Sequence, residues 1–425
     1  MPHVVTRPGR LYGAPLAVLL AVVHGVNDAL TAILGALLPA LQVRLDVGPA
    51  TLATLVAVFA ISASASQPTL GALADRFGLR RFAAVGVGLA AVSLSLVGVA
   101  GSPALLALVL ILGGLGSAAL HPAAASIVGG PHVAKPGLAV GLFTAGGMAG
   151  FAAGPVVVLM LVANQGLEAT VWLMIPGVLL AGLLIWLLPD YEPHSIRGTR
   201  VSAFERSSVN RRTLALTGVM ALTGLVFLTF TSTVPLWLVG ERHLATNAPM
   251  LGWVLATFSL GAGLGAVVGG VAGPRFGYGT TASVSLLGAG AMFISMLTLP
   301  VDWPFLVAAA LAGLLLYISQ PLLIVAAQEA SPAAPTAAAG LVFGGGSGLA
   351  GLLYLAVGAL QAHLGATAAI LVSVSLLLPA AALAISALRP RVDLTLASPD
   401  QPDQEPDAVM GYSCSGTTTH PHSER

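Results

Sequence analysis

Charge is what this sequence has least of. Asp, Glu, Lys and Arg make up 8% of its 425 residues, and 56% of the chain is hydrophobic; a soluble globular domain carries roughly 25% charged residues. Apolar runs of membrane-spanning length recur from residue 11 to about residue 388, so no stretch remains from which a soluble catalytic domain could be built. Cysteine is almost missing as well. The single one, Cys414, lies in a polar tail, which excludes internal disulfides and cysteine-ligated metal. There is no HExxH zinc site, no GxSxG nucleophile elbow and no two-carboxylate aspartyl arrangement. The chain is therefore not expected to be an enzyme, to carry a cofactor or metal, or to bind nucleic acid. Its expected surroundings are a lipid bilayer.

What is present is a series of long apolar spans. They run over 12–38, 50–73, 82–100, 104–128, 137–162, 170–188, 213–239, 250–272, 279–299, 303–327, 336–359 and 364–388. At 1.5 Å per residue each is long enough to cross a hydrocarbon core of about 30 Å. The abundant Gly, Ala and Pro are residues tolerated in packed membrane helices. The first run is too long for a signal-peptide core and is followed by many others, so it reads as a retained helix. The fold expected is an all-α membrane protein of twelve helices in two six-helix bundles. Residues 1–189 form the first bundle, 190–212 a cytoplasmic central loop, 213–388 the second bundle, and 389–425 a disordered cytoplasmic tail rich in Pro, Asp and Ser.

Orientation follows from Lys and Arg. With the N-terminus inside, Arg7, Arg10, Arg76, Arg80, Arg81, Lys135, Arg197, Arg200, Arg206, Arg211, Arg212, Arg275, Arg389, Arg391 and Arg425 all fall on the cytoplasmic side. Only Arg44 and Arg242 fall outside. Fifteen against two places both termini in the cytoplasm.

The halves repeat at one offset. "DRFG" at 75–78 returns as "PRFG" at 274–277, His121-Pro122 as Gln320-Pro321, and "GLF" at 141–143 as "GLV" at 340–342, each 199 residues later. Three landmarks in three segments at one spacing indicate duplication of a six-helix unit. Two such units around a central cavity make a transporter that alternates access by rocking. A channel requires no such duplication, and no filter-like ring of carbonyls or acids is seen.

Several polar residues break the apolar runs. In "AVLLAVVHGVNDALTAILGALLPALQ", residues 17–42, Asp28 lies near the middle of the first span, where an ionised acid facing lipid would cost several kcal/mol. It must face protein or a water-filled cavity. His24 is four residues earlier and shares a helical face with Asn27 and Asp28, so it can join a cluster with either. An acid beside a histidine can change protonation when the cavity opens to another compartment, which is what proton coupling requires. His121, followed by Pro122, is a second intramembrane histidine and a candidate for proton or substrate binding; the proline is expected to kink the fourth helix. Gln320-Pro321 puts a polar group and a kink at the matching place. Asn27, His121, Gln320 and Trp253 are the candidate substrate residues. Trp172, Trp186, Trp237 and Trp303, near span ends, are expected in the interfacial belt, and Glu329 at the end of its span.

Two segments read as gating elements. "GALADRFGLRR", residues 71–81, supplies Gly71 and Gly78 for a tight turn, Asp75 for pairing, and Arg76, Arg80 and Arg81 as a basic anchor; such a cluster can latch two helices in one state and release them in another. In "GLFTAGGMAGFAAGP" Gly146, Gly150 and Gly154 recur every four residues and Pro155 follows, giving a smooth face and a bend.

With these motifs in place the chain, over residues 11–388, resembles the major facilitator superfamily. "GALADRFGLRR" looks like its loop between helices 2 and 3, and "GGMAGFAAGP" like the helix-5 motif associated with proton-coupled antiporters. "HGVNDAL", "ALHPAAAS" and "GLAVGLFTAGGMAGFAAGPV" resemble the fosmidomycin-resistance branch, with its His-x-x-Asn-Asp and His-Pro patterns matched by His24, Asn27, Asp28, His121 and Pro122. Position 123 departs from that branch: Ala stands where the pattern continues with Glu. The resemblance implies an inner-membrane drug efflux pump exchanging protons for an amphiphilic or anionic antibiotic, and the function expected is export of a small drug-like or amphiphilic compound by a monomer. Mid-span Arg and Lys are absent, which fits a weakly charged or cationic hydrophobic substrate better than a dianion. The other readings are a proton-coupled importer or uniporter of a small metabolite, and a non-transporting membrane sensor or scaffold.

Overall fold

A computed structural model of the chain describes residues 10–130, 136–189, 209–332 and 334–388. The tail from 389, including Cys414, lies outside the described residues, as does most of the central loop. So do Arg7, Lys135, Arg197, Arg200, Arg206, Arg389, Arg391 and Arg425 from the orientation count.

Twelve helices are long and apolar enough to span a membrane. They are α1 Gly13–Leu45, α2 Pro49–Phe77, α3 Leu79–Val99, α4 Pro103–Val128, α5 Leu138–Gln165, α6 Leu167–Leu187, α7 Arg211–Gly240, α8 Pro249–Phe276, α9 Tyr278–Met296, α10 Trp303–Ala330, α11 Ala337–Leu364 and α12 Ala366–Ala387. All-helical structure is the physical requirement here, because hydrocarbon offers no partner to a free N–H or C=O. Proline opens α2, α4 and α8 at Pro49, Pro103 and Pro249, where a missing N–H costs nothing. The starts match the sequence expectation closely. The largest difference is the end of α1, which runs seven residues past position 38 to Leu45, through Pro39 and Arg44. Hydropathy falls there while the backbone ladder continues, until Asp46 takes a left-handed conformation (φ 50°) and ends it.

The repeat is visible in the backbone. Gly78 and Gly277, 199 residues apart, both adopt positive φ (103° and 86°) between paired helices, and Gly166 and Gly365, at the same offset, have φ of 83° and 85°. Glycine enters that region without the penalty a Cβ brings. Arg76 lies over the Phe77 ring at 5.3 Å and Arg275 over Phe276 at 5.4 Å. Arg10 donates to the Ile185 and Trp186 carbonyls at the end of α6, and Arg212 to the Ala387 carbonyl at the end of α12. Each half thus closes its last helix with an arginine from just before, or at the start of, its first.

Small residues set the packing. Gly146, Gly150 and Gly154 of α5 lie against the backbone at Ala21, Gly25 and Ala29 of α1, with no room for a Cβ at any of the three. Lipid tails are as apolar as side chains, so close backbone approach and dispersion contacts hold such helices together. In the second half Gly261, Gly265 and Gly269 of α8 meet the backbone of α10 in the same manner. The halves meet along α2–α11, α5–α8 and α1–α7. Gly351 faces Ala60 and Ile61, Gly358 faces Ala53, Gly252 faces Pro155, and Gly35 lies against the Thr231 carbonyl. Thr231 belongs to a π-helical turn, Thr229–Thr233, inside α7.

One expectation changes. Trp237 is buried rather than interfacial: it stacks on Phe305 at a centroid distance of 6.2 Å, and its Nε1 donates to Thr367 Oγ1 at 2.8 Å. Trp172, Trp186 and Trp303 are exposed, as a belt requires. The helix α4 runs unbroken through Pro122, whereas α10 is interrupted at Ile318, three residues before Pro321.

Candidate functional site

The close seam between α1 and α5 determines what stands beside it. Because Gly25 and Ala29 face α5, Asn27 and Asp28 face away from that seam toward α4, and His24 fills the corner above Gly147. His24 stacks on Phe143 with a centroid distance of 4.0 Å and an interplanar angle of 17°, and it meets His121 edge-on at 4.9 Å.

Three acceptor groups converge at this point. His24 Nε2 is 3.2 Å from Asp28 Oδ2 and 3.2 Å from His121 Nε2, and His121 Nε2 is 3.4 Å from Asp28 Oδ1. The other ring nitrogens are committed: His24 Nδ1 donates to the Phe143 carbonyl at 2.8 Å, and His121 Nδ1 to the Ser117 carbonyl at 2.7 Å. A carbonyl only accepts, so both hydrogens reside on Nδ1 and both Nε2 atoms present lone pairs when the rings are neutral. With Asp28 ionised, three lone-pair donors then face one another at about van der Waals distance. The arrangement is satisfied when a hydrogen sits among them, and the same three side chains have the spacing to hold a metal ion. Asn27 helps on one side, its Nδ2 donating to Asp28 Oδ1 at 3.0 Å and to Ser117 Oγ at 2.9 Å, while its Oδ1 is buried without a partner.

The site is nearly closed but not sealed. Asn27 is fully buried, and the side chains of His24, Asp28 and His121 retain 10%, 15% and 29% exposure. Sequence reasoning grouped His24, Asn27, Asp28 and His121 as candidates from two separate helices, and the structure brings all four together. It did not single out Ser117 or Phe143. Ser117 lies one turn before His121, a spacing that could have found it; nothing local marks Phe143 as a platform for His24.

A group of rings joins α5 of the first half to α7, α8 and α10 of the second. Phe227 of α7 stands 199 residues after Asp28. Its centroid is 5.7 Å from Tyr317, 5.9 Å from Phe151 and 6.0 Å from Phe258. Phe151, Phe227 and Tyr317 are half-buried, with Phe258 and Phe230 packed behind them at 3.9 Å. Gln320, also half-buried, lies one turn beyond Tyr317. Trp253 is half exposed near the start of α8 and makes no ring contact with this group among the described residues.

The remaining candidates lie elsewhere. Asp75 is exposed with no ion pair among the described residues, Arg81 is exposed, and Arg80 donates to the Leu188 carbonyl at 3.4 Å. Gly71 packs against the Pro122 ring. Glu329 is exposed and 3.9 Å from Arg212, in keeping with a place at the span end. At the opposite end of the molecule Glu241 accepts from the Ala366 and Thr367 amides at 2.8 and 3.1 Å and from the Thr367 hydroxyl at 2.5 Å. It thereby caps α12, which begins after Gly365 with no capping side chain of its own. Burial pushes the Glu241 carboxyl up, and the Thr367 hydroxyl with the two amides outweighs it, holding the group below its ordinary range.

Twelve spanning helices in two repeated halves, with a polar cluster within the first, define a secondary carrier that works by alternating access. The chain belongs to the Major Facilitator Superfamily, whose family profile matches residues 20–250. It is 26% identical over 376 residues to an uncharacterized MFS-type transporter, YfnC, of Bacillus subtilis (strain 168), covering 85% of this chain and 90% of that one. It is 23% identical over 355 residues to the fosmidomycin resistance protein of Escherichia coli (strain K12), covering 80% and 84%. The same fold occurs in the crystal structure of a bacterial homolog to the human lysosomal transporter Spinster, inward-facing and occupied: TM-score 0.70, 15% identity, 90% of this chain and 97% of that one. The chain is a multi-pass membrane transport protein, not an enzyme.

Proposed function

We propose that the chain is a proton-coupled exporter of a small drug-like or amphiphilic compound, of the fosmidomycin-resistance type. The observation that carries this reading is the meeting of Asp28 with two histidines whose Nδ1 hydrogens are already committed, so that the cluster is satisfied by a hydrogen taken up from outside itself. Asp28, His24 and His121 are the coupling groups; Asn27, His121, Gln320 and Trp253 contribute to substrate binding. Both termini are cytoplasmic, and residues 1–189 rock against residues 213–388 about the central cluster. The small-residue contacts of α2–α11 and α5–α8 close the outer side in this state. Asp75, exposed and without an ion pair among the described residues, fits a released latch, with Gly71, Gly78, Arg76, Arg80 and Arg81 re-forming it in the other state, and Gly146, Gly150, Gly154 and Pro155 keep the α1–α5 seam rigid throughout.

The test is purified protein in liposomes holding a pH-sensitive dye, under an imposed pH gradient, with candidate drugs added to wild type and Asp28→Asn. Drug-triggered proton flux opposite to drug movement in wild type, absent in the variant, supports the reading. Equal drug-driven flux through both proteins would remove Asp28 from coupling, and drug and proton moving the same way would make the chain an importer.

A further inference from the structure

The polar cluster of the first half also has the make-up of a metal site. His24 Nε2 stands 3.2 Å from Asp28 Oδ2 and 3.2 Å from His121 Nε2, and His121 Nε2 stands 3.4 Å from Asp28 Oδ1. Zinc holds imidazole nitrogen and carboxylate oxygen at about 2.0–2.2 Å, which sets neighbouring ligands of a tetrahedral ion about 3.3–3.5 Å apart. The observed separations are those of donors gathered around one small ion, and each of the three side chains offers a ligand atom within 4.8 Å of the others. Asp28 turns a different oxygen to each ring, so an ion between the rings meets one carboxylate oxygen or both.

The hydrogen bonds around the cluster argue the same way. Both Nδ1 hydrogens are spent on backbone carbonyls, Phe143 for His24 at 2.8 Å and Ser117 for His121 at 2.7 Å. Histidines that ligate metals are held in this manner: the outer nitrogen donates to a carbonyl or carboxylate, which fixes the tautomer and leaves the inner lone pair free. Asp28 Oδ1 accepts from Asn27 Nδ2 at 3.0 Å, and Asn27 is anchored on Ser117 Oγ at 2.9 Å. A single proton bridges one pair of the converging atoms, whereas a divalent ion engages all three groups. Asn27 Oδ1, buried without a partner, is an acceptor that water carried on such an ion would satisfy. No described Arg or Lys lies in the middle of a span to balance Asp28, and the ion supplies that charge. We propose that His24, Asp28 and His121 form a binding site for one divalent first-row transition ion of the zinc type. Two nitrogens and one carboxylate select such ions over magnesium and calcium, which prefer shells of oxygen. Three protein ligands leave the fourth corner of the tetrahedron to water or to a donor atom of another molecule. The 29% exposure of the His121 side chain gives a way in. The absence of cysteine from the spans excludes thiolate ligands only; imidazole and carboxylate come together from α1 and α4, with His24 and His121 97 positions apart. Ion binding goes beyond the proton-coupled reading and does not depend on it.

Calorimetric titration of the full-length protein in detergent with zinc, any affinity tag having been removed, tests the site. Wild type should take up one ion per chain with a Kd of about 10 µM or lower, in the presence of a large excess of magnesium. Its melting temperature should rise with zinc, because the ion ties α1 to α4 in the folded state alone. Asn27→Ala, which strips the support of Asp28, should weaken binding about tenfold to a hundredfold, and Asp28→Asn, His24→Gln and His121→Gln by more. Binding that survives in all three ligand variants overturns the proposal and assigns the ion to other histidines. No uptake by wild type, or displacement of zinc by magnesium, overturns it as well. X-ray absorption at the zinc edge of the loaded wild type covers the case of variants that fail to fold: two imidazoles with oxygen in the inner shell are expected, and a shell without two imidazoles overturns the site. None of these readouts involves transport, so a failed zinc site leaves proton-coupled export standing, and a failed flux assay leaves the zinc site standing.

Discussion

The two halves of this protein share a frame and differ in what they line. Backbone turns at Gly78 and Gly277, at Gly166 and Gly365, and the stacked Arg76–Phe77 and Arg275–Phe276 pairs recur at one offset. At the same offset Asp28 becomes Phe227, His24 becomes Thr223 and His121 becomes Gln320. The first half therefore carries the histidine–carboxylate cluster, and the second carries a ring and uncharged polar groups at the matching positions. A duplicated carrier needs symmetry in its helices, so that each half can rock against the other, and needs no symmetry in its lining. Confining the costly charges to one half also limits desolvation to a single cluster, whose members satisfy one another.

The sharpest way to break this asymmetry is to neutralise the polar side. Asp28→Asn should lower proton-coupled flux by at least about a hundredfold, the scale expected when a proton-carrying group is removed, while the protein remains monodisperse on gel filtration. Thr223, at the position matching His24, donates to the Val219 and Met220 carbonyls of its own helix; Thr223→Val should leave coupling intact, and a comparable loss there would show that the halves share the task.

Packing gives a second contrast. Gly150 lies against the Gly25 backbone, whereas Leu349, 199 residues on, is exposed. Gly150→Ala should destabilise the protein by about 1–3 kcal/mol, the range for overpacking a tight contact, read as a lowered melting temperature in detergent. Leu349→Ala should change it little. Similar shifts at both sites would mean the α1–α5 seam is not specially close.

On the ring side, Phe227→Leu should reduce transport about tenfold, the scale of losing one aromatic contact with the apolar body of a substrate, while the ratio of protons to substrate stays unchanged. A changed ratio would give Phe227 a part in coupling, contrary to the division drawn above.

The smallest effect concerns Glu241. Its folded-state carboxyl is held below the ordinary value by the α12 amides and the Thr367 hydroxyl. Its stabilisation is thus fully present above the ordinary carboxylate range and fades as pH falls through the lowered folded value. Wild type should melt about 2 °C above Glu241→Gln at pH 7, and the gap should close on acidification. A gap that is constant with pH would assign the effect to shape rather than charge.

Particular residues show where sequence reading succeeded and where it stopped. The His24–Asp28 spacing on one helix is local, so their contact could be read directly; the link to His121 required α4 to lie beside α1, which no local pattern states. Trp237 looked like a belt residue from its place near a span end, and only the packing of α7 against α10 and α12 buried it.

Membrane insertion, the number of helices and the internal duplication followed from the amino-acid order, because hydropathy and glycine turns act over short distances and the bilayer enforces them helix by helix. The identity of the ring group, the capping of α12 by Glu241 and the convergence of three acceptors around one point arose only when the helices packed. Those contacts join residues up to 126 positions apart, and their geometry depends on how closely small residues allow two backbones to approach.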